Sequence, residues 1–163
     1  VGDCIGGYML AHVASYEGEV AVDNILGQPR AVDYRVVPNC IFTLPEIADV
    51  GLTEEQAKEA GIPVKVSRFP FAVSGRAVAM AETEGQIRML CEAQADGRGG
   101  RVVGVHIMGP RASDLIAEAA LAMQLGATAE QIARTIHAHP TVPEALMEAA
   151  MAQGEGAIHY ELR

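Results

Sequence analysis

The stretch QIRMLCEAQADGRGGRVVGVHIM, residues 86–108, predicts the β-hairpin around which the rest of the chain can be arranged. Apolar and polar residues alternate along its first arm, so one face of that strand carries Ile87, Met89 and Cys91. The glycine-rich residues 96–100 supply the loop. The second arm, residues 102–108, is apolar almost throughout, which is typical of a central strand covered on both faces. His106 within it is expected to be a core histidine with a hydrogen-bond partner.

Shorter patterns on both sides of the hairpin predict further strands and helices. Strands are expected at residues 40–43, 47–51 and 64–69. Apolar residues three and four positions apart predict helices at 9–26, 113–124, 129–135 and 144–152. This order of elements predicts an α+β fold, with a mostly antiparallel sheet of about five strands and helices packed on one face.

Composition narrows the classes of function that the chain can have. It has 163 residues, half of them apolar, and a formal net charge of −9, which argues against nucleic-acid binding. No apolar run is long enough to span a membrane. The cysteines Cys4, Cys40 and Cys91 match neither a metal-binding spacing nor a close redox pair, so no metal site is predicted and a cytoplasmic location is expected. The first residue is not Met, and we expect the chain to be cut from a longer polypeptide.

The stretch HAHPTVPE, residues 137–144, carries the clearest chemical signal. Pro140 pushes His139 towards an extended backbone, and Thr141 with Pro143 predicts the start of a helix with Glu144 in its first turn. A carboxylate placed there can accept the Nδ1 proton of His139 and leave Nε2 free to take a proton from a substrate. His139 and Glu144 are therefore the candidate catalytic residues.

A purely structural explanation of the same stretch is open at this point. His-Pro is common at the start of a helix, and an acidic residue in the first turn interacts favourably with the helix dipole. The motif alone does not separate a base with its orienting carboxylate from an ordinary helix start.

The N-terminal residues offer a second candidate site. We expect a strand that ends at Gly2-Asp3, a bend at Gly6-Gly7, and then the start of a helix near Met9. A helix N-terminus placed after such a bend can hold a phosphate or a polyhydroxyl group. The glycine spacing does not match the dinucleotide-binding fingerprint G-x-G-x-x-G.

Five segments, taken in order, resemble the C-terminal part of the flavoprotein disulfide reductases. The first two are Gly2-Asp3 with MLAH at residues 9–12, and FTLPEIADVG at residues 42–51. The others are GVHIMGP at 104–110 with Ala112-Ser113, HAHPT at 137–141 with Glu144, and AIH at 157–159. The resemblance covers nearly the whole chain. It implies that residues 1–30 are the last part of an FAD-binding domain and that residues 31–163 are the interface, or dimerisation, domain.

The resemblance also implies a role for each candidate site residue. Asp3 would bind the ribityl chain of FAD, and Met9, Leu10, Ala11 and His12 would lie against its isoalloxazine ring. His139 would be the base that deprotonates a dithiol substrate, and Glu144 would orient its ring. In this family the histidine reaches the active site of the other subunit, so a homodimer is expected.

The redox-active disulfide and both dinucleotide fingerprints of the family do not occur in these residues. The resemblance therefore implies FAD and NAD domains upstream in the parent chain, with NAD as co-substrate, and we expect the isolated chain to be inactive. The acyltransferase subunit of a 2-oxo acid dehydrogenase complex is a further implied partner. Two alternatives stay open: the same domain of another flavin disulfide reductase, such as a glutathione reductase, or a non-catalytic dimerisation or docking module.

Overall fold

A five-stranded antiparallel sheet is the centre of the larger of two structural units in this computed structural model, which describes residues 1–161. The first unit is Val1–Val37, and the second begins at Pro38. The strands are β1 Asn39–Ile41, β2 Glu46–Gly51, β3 Val64–Pro70, β4 Gln86–Ala93 and β5 Gly99–Gly109. Their order across the sheet is β1-β2-β5-β4-β3. The predicted α+β fold is confirmed.

The predicted hairpin is present as β4 and β5, and β5 is the central strand. Gly99 and Gly100 belong to β5 and pair towards Ala93, so the loop is shorter than predicted. Two glycines without side chains can continue a strand where a ladder bond is available, and here that bond outweighs their turn preference.

One face of the sheet forms the core. Pairing places Ala48 opposite Ile107 and Ile107 opposite Ile87, and all three side chains are buried. Helix α4 (Ala112–Gln124) contacts β2 and β5, and helix α6 (Glu144–Met151) contacts β3 and β4. Because the side chains of a strand alternate between faces, burying this apolar set under two helices fixes the register of the sheet.

The opposite face carries polar, ionisable residues in one row across four strands. Asp49 pairs with His106, His106 with Arg88, and Arg88 with Arg68. His106 is half-buried and its Nε2 lies 3.0 Å from the carbonyl oxygen of Leu52, so the predicted hydrogen-bond partner exists. Met108 is exposed at the end of the same strand, so the prediction that β5 is covered on both faces along its whole length is wrong.

Three short helices connect these elements: α2 Glu54–Glu59, α3 Gly75–Met80 and α5 Ala129–Arg134. Thr53 and Thr128 open α2 and α5 with capping boxes, each closed by a glutamine three residues on. Helix α3 was not predicted; it begins after Ser74, whose side chain accepts a hydrogen bond from the Ala77 N–H. None of the helices within residues 1–161 is both long enough and apolar enough to span a membrane.

The first unit consists of a 3-10 turn, Gly2–Ile5, and helix α1, Ala11–Ile25. The prediction of a strand ending at Gly2-Asp3 is wrong. Gly2 has a φ of +71°, which is incompatible with a strand, and its N–H is bonded to a side chain of α1. Helix α1 ends as predicted, since Gly27 follows it with a φ of +78°.

The close approach of β5 to Leu52 gives a test of the packing. A methyl group at Gly104 would lie 2.1 Å from the carbonyl oxygen of Leu52. The N–H of Leu52 donates a hydrogen bond to the carbonyl oxygen of Val103. The backbone there cannot move without losing that bond, so Gly104→Ala should lower the free energy of unfolding by about 1–3 kcal/mol. Urea unfolding measures the difference.

Gly75→Ala is the matched control, because nothing lies within 4 Å of an added methyl at the first position of α3. This variant should leave stability unchanged or raise it by up to ~1 kcal/mol. Equal effects of the two substitutions would contradict the packing at Gly104.

Candidate active site

His139 lies in the turn that joins α5 to α6, and the peptide bond to Pro140 is cis. The prediction that Thr141 caps the next helix through its side chain is wrong. The Thr141 hydroxyl donates to the Ala138 carbonyl oxygen at 2.5 Å, and Pro143 occupies the N-cap position without a side-chain hydrogen bond. The hydroxyl therefore closes the turn that contains His139. Another group supplies the hydrogen bond at the start of α6.

That group is the Glu144 carboxylate, which bridges the turn and the helix. Its Oε1 lies 2.8 Å from Nδ1 of His139, and its Oε2 accepts a hydrogen bond from the Thr141 N–H at 2.7 Å. The His139 side chain is 77% exposed, whereas that of Glu144 is only 23% exposed. With both oxygens bound to groups of one turn, the carboxylate holds the imidazole in a fixed orientation.

The pKa of Glu144 is lowered from its ordinary value of 4.5. Burial by itself would raise that pKa, but the Thr141 N–H and the His139 ring both stabilise the charged form and outweigh burial. Glu144 is thus ionised near neutral pH and accepts the proton on Nδ1.

The arrangement defines the tautomer of a neutral His139. With the proton on Nδ1 donated to Glu144, the lone pair is on Nε2. In the part of the chain that the structure describes, Nε2 has no hydrogen-bond partner, and it can accept a proton from a group brought to the surface. This is the geometry of a general base with its orienting carboxylate.

A second histidine of the same motif, His137, is placed differently. Its side chain is only 6% exposed, with Nε2 2.8 Å from Glu118 and Nδ1 2.9 Å from the Thr135 carbonyl oxygen. Both ring nitrogens are therefore engaged. His137 fixes the end of α5 against α4 and has no nitrogen available to a substrate.

A third histidine–carboxylate pair was not predicted. Glu148 is buried on α6, one turn after Glu144, and its Oε1 lies 2.5 Å from Nδ1 of His159. Its Oε2 accepts the backbone N–H of Ile158 at 2.7 Å. Glu148 thereby fastens the segment after α6 to that helix. Sequence spacing gives no signal for this pair, because its members are 11 residues apart and meet only after the chain turns back.

The predicted cofactor-binding residues all lie in the first unit. Asp3 is exposed in the 3-10 turn, Met9 is exposed, and Leu10 is the N-cap residue of α1. Leu10 has no side-chain acceptor, and the first turn of α1, which contains Ala11 and His12, has no acidic residue. The positive end of this helix dipole is thus not neutralised by its own first turn.

This antiparallel α+β domain, with its exposed histidine–glutamate pair ahead of helix α6, belongs to a known domain family. Residues 37–150 match the family model described as the pyridine nucleotide-disulphide oxidoreductase dimerisation domain. The chain belongs to this family.

Individual relatives make the comparison more specific. The chain is 50% identical over 150 residues to a dihydrolipoyl dehydrogenase of Geobacillus stearothermophilus, covering 92% of this chain and 31% of the relative. It is 47% identical over 156 residues to the human mitochondrial dihydrolipoyl dehydrogenase, covering 96% of this chain and 30% of the relative. The chain thus spans about a third of the length of these relatives.

Solved structures show the same fold. LpdA of Mycobacterium tuberculosis superposes with a TM-score of 0.83 at 30% identity, over 91% of this chain and 32% of that one. The HOCl-induced flavoprotein disulfide reductase RclA of Escherichia coli superposes with a TM-score of 0.83 at 27% identity, over 92% of this chain and 34% of that one. The resemblance to flavoprotein disulfide reductases is confirmed. The roles of individual site residues and the domain boundary after residue 30 stay predictions.

The lowered pKa of Glu144 predicts how its contribution to stability depends on pH. Because the folded pKa lies below 4.5, the ionised carboxylate stabilises the fold above about pH 4.5, and this contribution is lost as the pH falls through the folded value. The difference in unfolding free energy between the native chain and Glu144→Gln should therefore shrink on acidification. Urea unfolding between about pH 7 and about pH 3 measures it.

Glu59→Gln, at an exposed position on α2, is the control for removing one carboxylate. Its difference from the native chain should vary much less over the same range. A Glu144→Gln difference that grows towards low pH would contradict the assigned hydrogen bonds.

Proposed function

We propose that this chain is the C-terminal part of a dihydrolipoamide dehydrogenase, which oxidises dihydrolipoamide with NAD by way of FAD and a disulfide. The observation that carries the proposal is the 2.8 Å contact between His139 and Glu144 on the exposed turn of a disulfide-reductase dimerisation domain. The two relatives named dihydrolipoyl dehydrogenases, at 50% and 47% identity, support this substrate over glutathione disulfide.

His139 supplies the proton transfer that the dithiol needs. Its Nε2 accepts the proton of one substrate S–H, so that the thiolate can attack the enzyme disulfide and release one thiolate of that disulfide. Glu144 accepts the Nδ1 hydrogen bond throughout and stabilises the imidazolium that forms. The same imidazolium can return the proton to a leaving thiolate, so no other acid is required.

The residues at the start of the first unit fit one edge of a flavin. FAD, when bound, carries electrons between the disulfide and NAD. The uncapped, acid-free start of α1 favours an electron-rich ring edge, and the exposed Met9 side chain offers apolar contact to a flat ring. Asp3, in the turn that precedes α1, supplies an exposed carboxylate for a hydroxyl of the ribityl chain.

We further propose that the functional unit is a homodimer. The family model describes a dimerisation domain, and the His139 side chain is 77% exposed. A base for a thiol works best where water is excluded. A second subunit that carries the disulfide would complete the site, so each subunit would supply the base to its partner.

Two finer proposals concern the partner subunit and the cellular location. The net charge of −9 is suited to a basic docking domain on the acyltransferase subunit of a 2-oxo acid dehydrogenase complex. The cytoplasmic location stays a prediction.

The decisive substitution is His139→Gln in the full-length enzyme that contains this chain. Gln keeps a hydrogen-bonding end but cannot accept a proton near neutral pH. Oxidation of dihydrolipoamide should fall by roughly 10²–10⁴-fold. Transfer of electrons from NADH to an artificial acceptor bypasses the dithiol and should stay within a few-fold of the native rate. Steady-state assays of both reactions on flavin-loaded enzyme measure the separation.

Glu144→Gln should give a smaller loss of the same selective kind, because it removes the orienting carboxylate and leaves the imidazole. If His139 only stabilises the turn, both activities will fall together with flavin content or dimer content. That parallel loss would refute the catalytic role.

The homodimer predicts self-association of the chain itself, in the micromolar range, about 8 kcal/mol. Leu121 and Leu125 are 61% and 74% exposed and lie four residues apart at the end of α4, so they present one apolar stripe. We propose this stripe as part of the dimer surface, so replacing both leucines with Asp should weaken association by roughly ten-fold or more, because the introduced charges would lose water between the two copies. Sedimentation velocity over a concentration series measures it.

Val78→Asp on α3 is the control, since Val78 is also exposed but lies on another helix. It should leave the dissociation constant unchanged. A monomer at all concentrations would count against the dimer, and equal weakening by both substitutions would count against α4 as the interface.

A further inference from the structure

Glu17 is a buried acid whose role neither the sequence motif nor the family comparison assigns. It lies in the middle of α1 and is only 4% exposed. Its Oε2 accepts the backbone N–H of Gly2 at 2.6 Å, and its Oε1 accepts the hydroxyl of Tyr34 at 2.8 Å. One carboxylate therefore joins three segments of the first unit: helix α1, the turn that contains Gly2, and the segment that contains Tyr34.

The two hydrogen bonds explain how a carboxylate can occupy this position. A buried charge is costly unless hydrogen bonds replace the water that it loses. The bond from Gly2, followed by that from Tyr34, lowers the pKa of Glu17 below 4.5 despite its burial. Glu17 is therefore ionised near neutral pH, and both of its bonds are charge-assisted.

The bond to Gly2 determines where the 3-10 turn lies. Gly2 adopts a φ of +71°, and a methyl group added there would lie 3.2 Å from the Cβ of Ala14. The turn is thus held directly against α1 at a residue that tolerates little more than hydrogen. The next residue is Asp3, which faces solvent.

The bond from Tyr34 to Glu17 holds a second segment of the first unit, the one that contains Tyr8. Tyr34 stacks on Tyr8, with ring centroids 5.9 Å apart. Tyr8 is followed by Met9 and Leu10, the residues that lead into α1. Both segments expected to face the flavin are therefore tied to one buried carboxylate, Asp3 through Gly2 and Met9 through Tyr8 and Tyr34.

We propose that Glu17 is a positioning residue for FAD, fixing the Asp3 turn and the Tyr8–Leu10 segment relative to the start of α1. The proposal rests on the proposed function, because it takes Asp3 and the start of α1 as flavin contacts. Binding groups must be held within about half an ångström of their productive positions, and supporting hydrogen bonds of this kind provide that order.

The test measures FAD affinity in the full-length enzyme, with apoenzyme prepared and re-titrated with FAD by the quenching of flavin fluorescence. Glu17→Ala removes both bonds and should weaken FAD binding by roughly ten- to hundred-fold. Tyr34→Phe removes one bond and should have an intermediate effect. Glu17→Gln keeps an acceptor oxygen and should recover part of the affinity.

Glu19→Ala is the matched control. Glu19 is an exposed carboxylate on the same helix, so this variant removes the same charge and should leave FAD affinity unchanged. The absorption spectrum of bound flavin is the second readout. It should shift in Glu17→Ala but not in Glu19→Ala, because only the former changes the surroundings of the ring.

A purely stabilising role makes a different prediction. The melting temperature of the apoenzyme would fall in Glu17→Ala, while FAD affinity and the flavin spectrum of the folded fraction would match those of Glu19→Ala. That result would overturn the proposal. If Glu17→Ala does not fold, Tyr34→Phe decides, since an FAD affinity equal to that of the control would overturn it as well.

Asp3→Asn distinguishes the positioning role of Glu17 from the flavin contact of the proposed function. If it weakens FAD binding while Glu17→Ala does not, only the positioning role fails. If neither substitution changes FAD affinity, the flavin contact in the proposed function fails and the positioning role fails with it.

Discussion

Strand β5 pairs with β2 over residues 104–109 and with β4 over residues 99–108, and the helices on either side of the histidine turn are bonded to the sheet that this pairing forms. The N–H of Val102 on β5 donates to Ala127, just before α5, at 3.0 Å. On the far side, Ser67 donates its hydroxyl to Ala149 of α6 at 2.6 Å. The sheet therefore fixes the start of α5 and the last turn of α6, which are the two outer ends of the segment that contains the His139 turn.

The buried side-chain amide of Gln153 fixes the residues that follow α6. The Gln153 Nε2 donates to the carbonyl of Met89 at 2.8 Å and to the hydroxyl of Ser67 at 3.0 Å. Displacing this buried amide is costly, because each lost bond would leave the Nε2 of Gln153 without a partner in the core. The proposed role of His139 depends on a fixed position for α6, since a base must meet its substrate within hydrogen-bond distance.

Glutamate side chains hold several turns of this acidic chain in place. Among the described residues, four glutamates accept a backbone N–H: Glu17 from Gly2, Glu46 from Ser113, Glu144 from Thr141 and Glu148 from Ile158. Each joins a turn or chain end to a helix or strand, where the N–H would otherwise lack a partner. Only Glu144 and Glu148 also hold an exposed imidazole, and only Glu144 does so within the family's signature motif. The proposed catalytic pair thus uses the same kind of contact by which glutamates hold turns elsewhere in the fold.

The sequence by itself determined the features that depend on neighbours along the chain. Alternation and turn residues predict β4 and β5, and two prolines between His139 and Glu144 bring that pair together within six residues. Tertiary structure alone decided the contacts between distant residues. Glu17 meets Gly2 across 15 residues and Glu148 meets His159 across 11, because packing brings together segments whose separation no local pattern encodes. The same limit explains the wrong strand at Gly2-Asp3, since its backbone follows a hydrogen bond to α1 instead of a local preference.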